Sequence, residues 1–124
     1  MILVDTSLWI EYFSARQPLL HELIADRQAA IHDLVIGELA VGDLRDRAAT
    51  LYALSRIKQS EHVSDQEALA LIEAEDLWGI GLGFVDVHLL ASALITPNCQ
   101  LWSRDKRLAA TAERLGVAFS APTH

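Results

Sequence analysis

Four acidic residues lie in apolar surroundings in this chain of 124 residues. Asp5 and Asp105 each follow a short apolar run that is typical of a strand, whereas Glu38 and Asp86 each lie within an apolar segment with helical spacing. An ionised carboxylate in such surroundings costs on the order of several kcal/mol unless it is paired or coordinated. These four side chains are therefore the first candidates for chemistry.

Each acid also has a purely structural explanation. Asp5 or Asp105 would serve as the N-cap of the helix that follows, and Glu38 or Asp86 would pair with a buried arginine. The four considered together favour one shared site, because the carboxyl ends of parallel strands and the starts of the following helices meet at one edge of a sheet.

The chemistry of such a cluster follows from its charge. Several carboxylates cannot all stay ionised in one place unless a cation neutralises them. The sequence has no Cys pair and no HExxH spacing, and oxygen ligands alone favour Mg²⁺ or Mn²⁺ over zinc. A divalent ion held by carboxylates activates water and stabilises charge on an attacked phosphate. The pattern thus predicts metal-dependent hydrolysis of phosphodiester bonds.

Predicted strands and helices alternate along the chain and must position these acids. This alternation predicts one helix-rich α/β domain over residues 1–124, with a mainly parallel sheet and helices on both faces. Predicted strands are Ile2–Val4, Ala29–Ile31, Gln100–Ser103 and Val117–Phe119. Predicted helices are Thr6–Phe13, Pro18–Arg27, Leu34–Val41 with Asp33 as its cap, Asp46–Lys58, a helix from the Ser64 capping box to Leu77, Phe84–Ile95, and Arg104–Leu115.

Composition restricts the class of protein. With 52% hydrophobic and 22% charged residues, the chain is not intrinsically disordered. The single Cys99 excludes a disulfide framework and indicates a reducing, cytoplasmic compartment. We expect no membrane span, because no apolar run approaches about 18 residues. The net charge of −7 argues, at first sight, against a nucleic-acid partner.

Four short acidic motifs follow one another along the chain. They are Val4-Asp5-Thr6-Ser7, Glu38 in an apolar helix that ends at Gly42, Phe84-Val85-Asp86 followed by Leu89 to Leu94, and Trp102-Ser103-Arg104-Asp105. In this order they resemble the acidic motifs of PIN domains. The length and the start at the first strand are similar to those of the toxin component of bacterial VapBC toxin–antitoxin modules, and the resemblance covers essentially the whole chain.

The resemblance implies a PIN-like three-layer α/β/α fold and a metal-dependent endoribonuclease that a small antitoxin inhibits by occupying a groove beside the active site. It implies that Asp5 and Asp86 are the principal Mg²⁺ ligands, with Mn²⁺ as an alternative ion, and that Glu38 and Asp105 complete the acidic quartet. Toxins of this family commonly form homodimers, so we expect a homodimer here.

Two hydroxyl residues match family positions near the site. The resemblance implies that Thr6 and Ser103 orient a carboxylate or a water molecule, although turn and cap chemistry explains them equally well. The family often has a further acid close behind the fourth position, where this chain has Lys106 and Arg107.

Basic residues surround Asp105. Arg104, Lys106 and Arg107 are candidates for contacts with RNA phosphates, and a solvated helix start is the alternative explanation. Positive charge at a helix N-terminus is unfavourable for the macrodipole, which favours the phosphate role.

Two other functions remain open at this point. A PIN-like domain without catalysis would serve only as an interaction module, although the presence of all four acids argues against it. A haloacid dehalogenase-type phosphatase also begins with a strand that ends in Asp. Its D-x-D pattern is broken here by Ser7, which makes that function the weaker alternative.

Overall fold

A single parallel sheet forms the centre of the molecule in the computed structural model, which describes residues 1–121. Its four strands are β1 (Ile2–Val4), β2 (Ala29–Ile31), β3 (Lys58–Gln59) and β4 (Gln100–Trp102), arranged in the order β3-β2-β1-β4. All three strand pairings are parallel, and β1 lies between β2 and β4. The carboxyl ends of the strands therefore meet at one edge, as the sequence predicts.

Seven helices connect and cover these strands within residues 1–121. They are α1 (Thr6–Ser14), α2 (Pro18–Ala25), α3 (Asp33–Ala40), α4 (Arg47–Ser55), α5 (Asp65–Ala74), α6 (Phe84–Ile95) and α7 (Lys106–Arg114). The predicted helix-rich α/β fold with a mainly parallel sheet is confirmed. None of the described helices is both long and apolar enough to cross a membrane.

The core lies around β1, where Leu3 and Val4 are fully buried. Helix α6 packs its middle, from Val87 to Ala93, into this core, as its apolar composition predicts. The indole of Trp9 is 1% exposed and donates a hydrogen bond from Nε1 to the carbonyl oxygen of Val4 at 3.1 Å. This contact fixes the start of α1 against the end of β1, where Asp5 lies.

The predicted bounds of β1, β2 and α6 agree with the structure, whereas β3 is missing from the prediction. The predicted helix Asp46–Lys58 ends at Ser55, because the chain turns into β3 beside β2. Both residues of β3 are exposed and polar, so their pairing depends on β2 and not on an apolar pattern of their own. The predicted strand Val117–Phe119 is reduced to an isolated bridge between Leu101 and Ala118.

Several helix ends also differ from the prediction, and backbone conformation explains them. The helices from Pro18 and Ser64 end before Arg27 and Asp76, because these two residues adopt positive φ angles of 57° and 54°. Helix α7 starts at Lys106, since Asp105 is its extended N-cap. His32, and not Asp33, caps α3 by accepting a hydrogen bond at Nδ1 from the Leu34 amide.

Candidate metal-binding acidic site

Asp5 is the most buried acid of the four and is 9% exposed. It follows β1 directly and is the N-cap of α1, with Oδ1 accepting a hydrogen bond from the Thr6 amide at 2.7 Å. Its Oδ2 accepts from the Ser103 hydroxyl at 2.7 Å. Because both oxygens are held, the orientation of this carboxylate is fixed by the ends of β1 and β4.

Ser103 also connects Asp5 to the fourth acid. The Ser103 hydroxyl oxygen accepts a hydrogen bond from the Asp105 amide at 3.0 Å. Asp105 then caps α7, with Oδ1 accepting from the amides of Arg107 and Leu108 at 2.9 and 3.1 Å. The cap explanation is therefore correct for Asp105, but it uses only one of the two carboxylate oxygens.

Glu38 reaches the site from α3. Its Oε1 accepts a hydrogen bond from the Thr6 hydroxyl at 2.9 Å, so Thr6 binds Glu38 with its side chain and Asp5 with its backbone amide. The side chains of Thr6 and Ser103 thus contact acids of the predicted quartet. Their position next to the carboxylates supports the expectation that they orient them.

Asp86 lies in the first turn of α6 and is half-buried, and its Oδ2 accepts a hydrogen bond from the Gly83 amide at 2.8 Å. Burial is the main reason that its pKa is raised, and the Gly83 hydrogen bond opposes this effect. The negative charges of Asp5, Asp105 and Glu38 raise the pKa of Asp86 further. The structure therefore brings the other three acids within electrostatic reach of Asp86.

The assumption that all four acids are surrounded by apolar residues is wrong for Glu38 and Asp105. Both side chains are exposed, since only Val35 and Leu39 of α3 are buried and Asp105 precedes α7 as its N-cap. The alternative of a buried arginine partner is also wrong within residues 1–121, where neither Glu38 nor Asp86 has a basic nitrogen within 4.0 Å.

The donor chemistry of this cluster fits a hard divalent cation. All four side chains offer only oxygen, and a bound cation would offset both the burial of Asp86 and the smaller repulsion from its acidic neighbours, which together raise its pKa. Across the described residues, no three His, Cys, Asp or Glu side chains lie close enough to hold one ion as they stand. Mg²⁺ is usually held by only one or two carboxylates together with water ligands.

The three predicted RNA-contacting residues differ in their surroundings. Arg104 forms an ion pair with Glu11 of α1 at 3.0 Å. Lys106 and Arg107 are exposed at the start of α7. Sequence reasoning does not single out Glu11, since an acid on the polar side of an amphipathic helix carries no signal of its own.

Two open cavities lie beside α1. The first, of about 600 Å³, includes Glu38 in its wall together with Ile10, Phe13, Leu39, Asp43 and Leu44. The second, of about 960 Å³, shares Phe13 with the first and includes Tyr12 and Ile24. The first cavity is therefore continuous with the acidic site through Glu38.

Comparison with known proteins agrees with this geometry. Residues 2–114, which contain all four acids, match the PIN domain family. The chain belongs to the PIN-domain family. This membership confirms the resemblance that the four motifs indicate, and it sets aside the phosphatase alternative.

Two curated PIN-domain relatives are similar over almost their whole length. Both are named Ribonuclease VapC32, from Mycobacterium tuberculosis strains CDC 1551 / Oshkosh and ATCC 25618 / H37Rv. Each is 45% identical to this chain over 120 residues, which is 97% of this chain and 97% of the relative.

Proposed function

We propose that this chain is a metal-dependent endoribonuclease that hydrolyses RNA phosphodiester bonds and acts as the growth-inhibiting toxin of a toxin–antitoxin module. The observation that carries the proposal is the convergence of Asp5, Glu38, Asp86 and Asp105 at the sheet edge of a PIN domain. Identity of 45% over nearly the full length to proteins named ribonuclease supports the same activity.

In this proposal Asp5 and Asp86 are the residues that hold Mg²⁺ or Mn²⁺. Such an ion, when bound, would activate a water molecule and stabilise negative charge on the attacked phosphate. Asp5 is preorganised by the Thr6 amide and the Ser103 hydroxyl, and Asp86 by the Gly83 amide. Preorganisation lowers the cost of arranging the ligands at the moment of reaction.

Glu38 and Asp105 complete the site in different ways. Glu38 is exposed and held through one oxygen by Thr6, which leaves Oε2 to bind and orient the attacking water. Asp105 uses Oδ1 as the cap of α7 and keeps Oδ2 available at the site. Both acids also place negative charge near Asp86, which makes the binding of a cation there more favourable.

The cavity that contains Glu38 is the proposed binding groove for the antitoxin. Its wall combines apolar side chains such as Ile10, Phe13 and Leu39 with the acids Glu38 and Asp43. A partner segment with apolar residues and a basic residue complements such a wall. Homodimerisation remains a prediction that sedimentation of the purified chain tests.

The activity is tested by incubating the purified chain with structured RNA in the presence of Mg²⁺ or of EDTA. We expect cleavage only with Mg²⁺, and a fall of at least about a hundredfold in Asp86→Asn, because one metal ligand is removed. Glu73→Gln is the matched control, since it removes one exposed acid on α5 that makes no contact with the site.

Equal cleavage with EDTA would contradict the metal mechanism. A folded chain that cleaves none of the RNAs with either Mg²⁺ or Mn²⁺, yet still binds a partner, would favour the catalytically inactive interaction module instead.

A further inference from the structure

The side chain of Arg107 packs against Gly81, which belongs to the glycine-rich loop at residues 79–83. A Cβ atom placed on Gly81 would lie 2.6 Å from Arg107 Cδ and 2.9 Å from both Nε and Nη1. Gly81 also has a φ of 89°, a conformation that residues with a side chain rarely adopt. Any side chain at position 81 would therefore strain the loop and displace Arg107.

This contact joins the two segments that carry Asp86 and Asp105. The loop that contains Gly81 continues to Gly83, whose amide donates to Asp86 Oδ2 at 2.8 Å. The Arg107 amide donates to Asp105 Oδ1 at 2.9 Å. The Cδ atom of Arg107 and one side of its guanidinium thus lie where these segments meet, on the Asp86 and Asp105 side of the acidic site.

The charge of Arg107 is available to an anion from solution. Arg104, the other arginine near Asp105, is engaged by Glu11 at 3.0 Å. Within residues 1–121, Arg107 has no carboxylate oxygen within 4.0 Å, and its side chain is exposed. A guanidinium in this situation binds phosphate oxygens through two parallel hydrogen bonds.

We propose that Gly81 is a positioning residue that seats Arg107, and that the seated guanidinium binds a phosphate group of the RNA beside the acidic site. This inference rests on the proposed RNA hydrolysis. Four carboxylates repel a polyanion, so an adjacent fixed cation is needed to hold the RNA backbone next to them. Seating the long side chain on Gly81 reduces the rotamer entropy that it loses when it binds.

The test measures binding of a short fluorescein-labelled single-stranded RNA in EDTA, where metal-dependent cleavage does not occur, over a series of salt concentrations. On a single strand, the plot of log K against log salt becomes shallower by about 0.7 for each phosphate that the protein no longer neutralises. We expect this change in Arg107→Gln and in Gly81→Ala. Arg107→Lys should keep the slope of the original chain, because it keeps the charge.

Gly79→Ala is the matched control. Gly79 has a similar positive φ of 72°, but a Cβ there would meet no atom within 4 Å. Gly79→Ala therefore carries a similar backbone strain without displacing Arg107, and we expect it to leave the salt slope unchanged. In the Arg107→Gln background, Gly81→Ala should have no further effect on RNA binding.

An unchanged salt slope in Arg107→Gln would overturn the proposal, as would equal effects of Gly79→Ala and Gly81→Ala. If Gly81→Ala does not fold, the pair Arg107→Gln and Arg107→Lys decides the phosphate role alone. Cleavage by the unsubstituted chain with Mg²⁺ is scored separately, so a failure of the nuclease proposal remains distinguishable from a failure of the Arg107 site.

Discussion

At the scale of single residues, Asp5 combines a structural and a chemical role. It caps α1 through one oxygen, and it is oriented by Ser103 through the other. Helix capping and metal binding are often treated as competing explanations for an acid at the end of a strand. Here they are compatible, because each carboxylate oxygen has more than one lone pair and the cap fixes the direction of the second oxygen.

The pKa of Asp86 provides a test of the acidic cluster in the metal-free protein. We expect Asp105→Asn to lower the pKa of Asp86 towards its ordinary value, because the substitution removes a neighbouring negative charge while the asparagine oxygen still caps α7. A carboxyl ¹³C titration by NMR measures this shift.

Glu113→Gln is the control for that titration, because it removes the same charge near the other end of α7. An Asp86 pKa that is unchanged in Asp105→Asn, or lowered equally by both substitutions, would contradict the close approach of the four carboxylates.

His32 predicts a pH dependence of stability that is separate from the acidic site. The pKa of His32 is lowered from 6.5 to about 4, mainly by burial and to a smaller extent by the charges of His62 and His88, whereas Asp33 opposes the shift. The unfolded chain therefore binds more protons than the folded chain between these two pH values. Stability from this group is fully present above pH 6.5 and is lost as the pH falls towards 4.

We expect the free energy of unfolding to fall by about 2 kcal/mol between pH 7.5 and pH 5 through His32. His32→Asn should lose most of this dependence, because asparagine keeps the cap of α3 but does not titrate. Urea unfolding at the two pH values measures it, with the exposed His21→Asn as control. Equal pH dependence in His32→Asn and the unsubstituted chain would contradict the assignment to His32.

At the scale of elements, local signals account for much of the fold. The strands Ile2–Val4 and Ala29–Ile31 and the helix Phe84–Ile95 are predictable with their bounds, because their apolar composition matches their burial. Only the ends of the helix depart from this, since Phe84 and Ile95 are exposed. The exposed strand β3 is not predictable in this way, since two polar residues pair only because β2 presents a free edge.

The acidic site also combines features that the local sequence predicts with features that depend on contacts between distant elements. The sequence predicts Asp5, Asp86 and Asp105 at one edge of the sheet, because each follows a strand or lies at the start of a helix. Glu38 lies near the end of α3, and its contact with Thr6 is not predictable in this way. Contacts such as Glu11 with Arg104 and Gly81 with Arg107 are not identifiable, because they depend on the distance between elements that are far apart in the sequence.

The capping box of α5 gives a prediction at this scale. The Ser64 hydroxyl accepts a hydrogen bond from the Glu67 amide at 3.1 Å, and the Glu67 carboxylate accepts from the Ser64 amide at 3.0 Å. Ser64→Ala should lower the free energy of unfolding by about 1 kcal/mol, measured by urea titration. Ser14→Ala, which removes a hydroxyl bonded within α1, is the control. An equal loss in both variants would show that the cap itself contributes nothing.

At the scale of the whole molecule, the net charge of −7 does not decide the partner. Four of the seventeen acids lie around Asp86, where three neighbouring carboxylates add to the cost of its ionised form in the metal-free protein. A bound divalent cation would make the electrostatic contribution of these acids to stability favourable. Under the proposed function, an acidic total charge is therefore compatible with binding of a polyanion where a cation neutralises these acids.

If a cation neutralises these acids, its binding should also stabilise the fold, and thermal unfolding measures this effect. Mg²⁺ or Mn²⁺ at about one hundred times its Kd should stabilise the fold by about 2.7 kcal/mol. NaCl at the same ionic strength should give a smaller increase in Tm, because it only screens the charges.

Asp86→Asn should raise the Tm of the metal-free protein by removing a repelling carboxylate, and it should abolish the increase on adding metal. Glu73→Gln changes the net charge equally and should keep that increase. A metal-induced rise in Tm that persists in Asp86→Asn would place the cation elsewhere on this acidic surface.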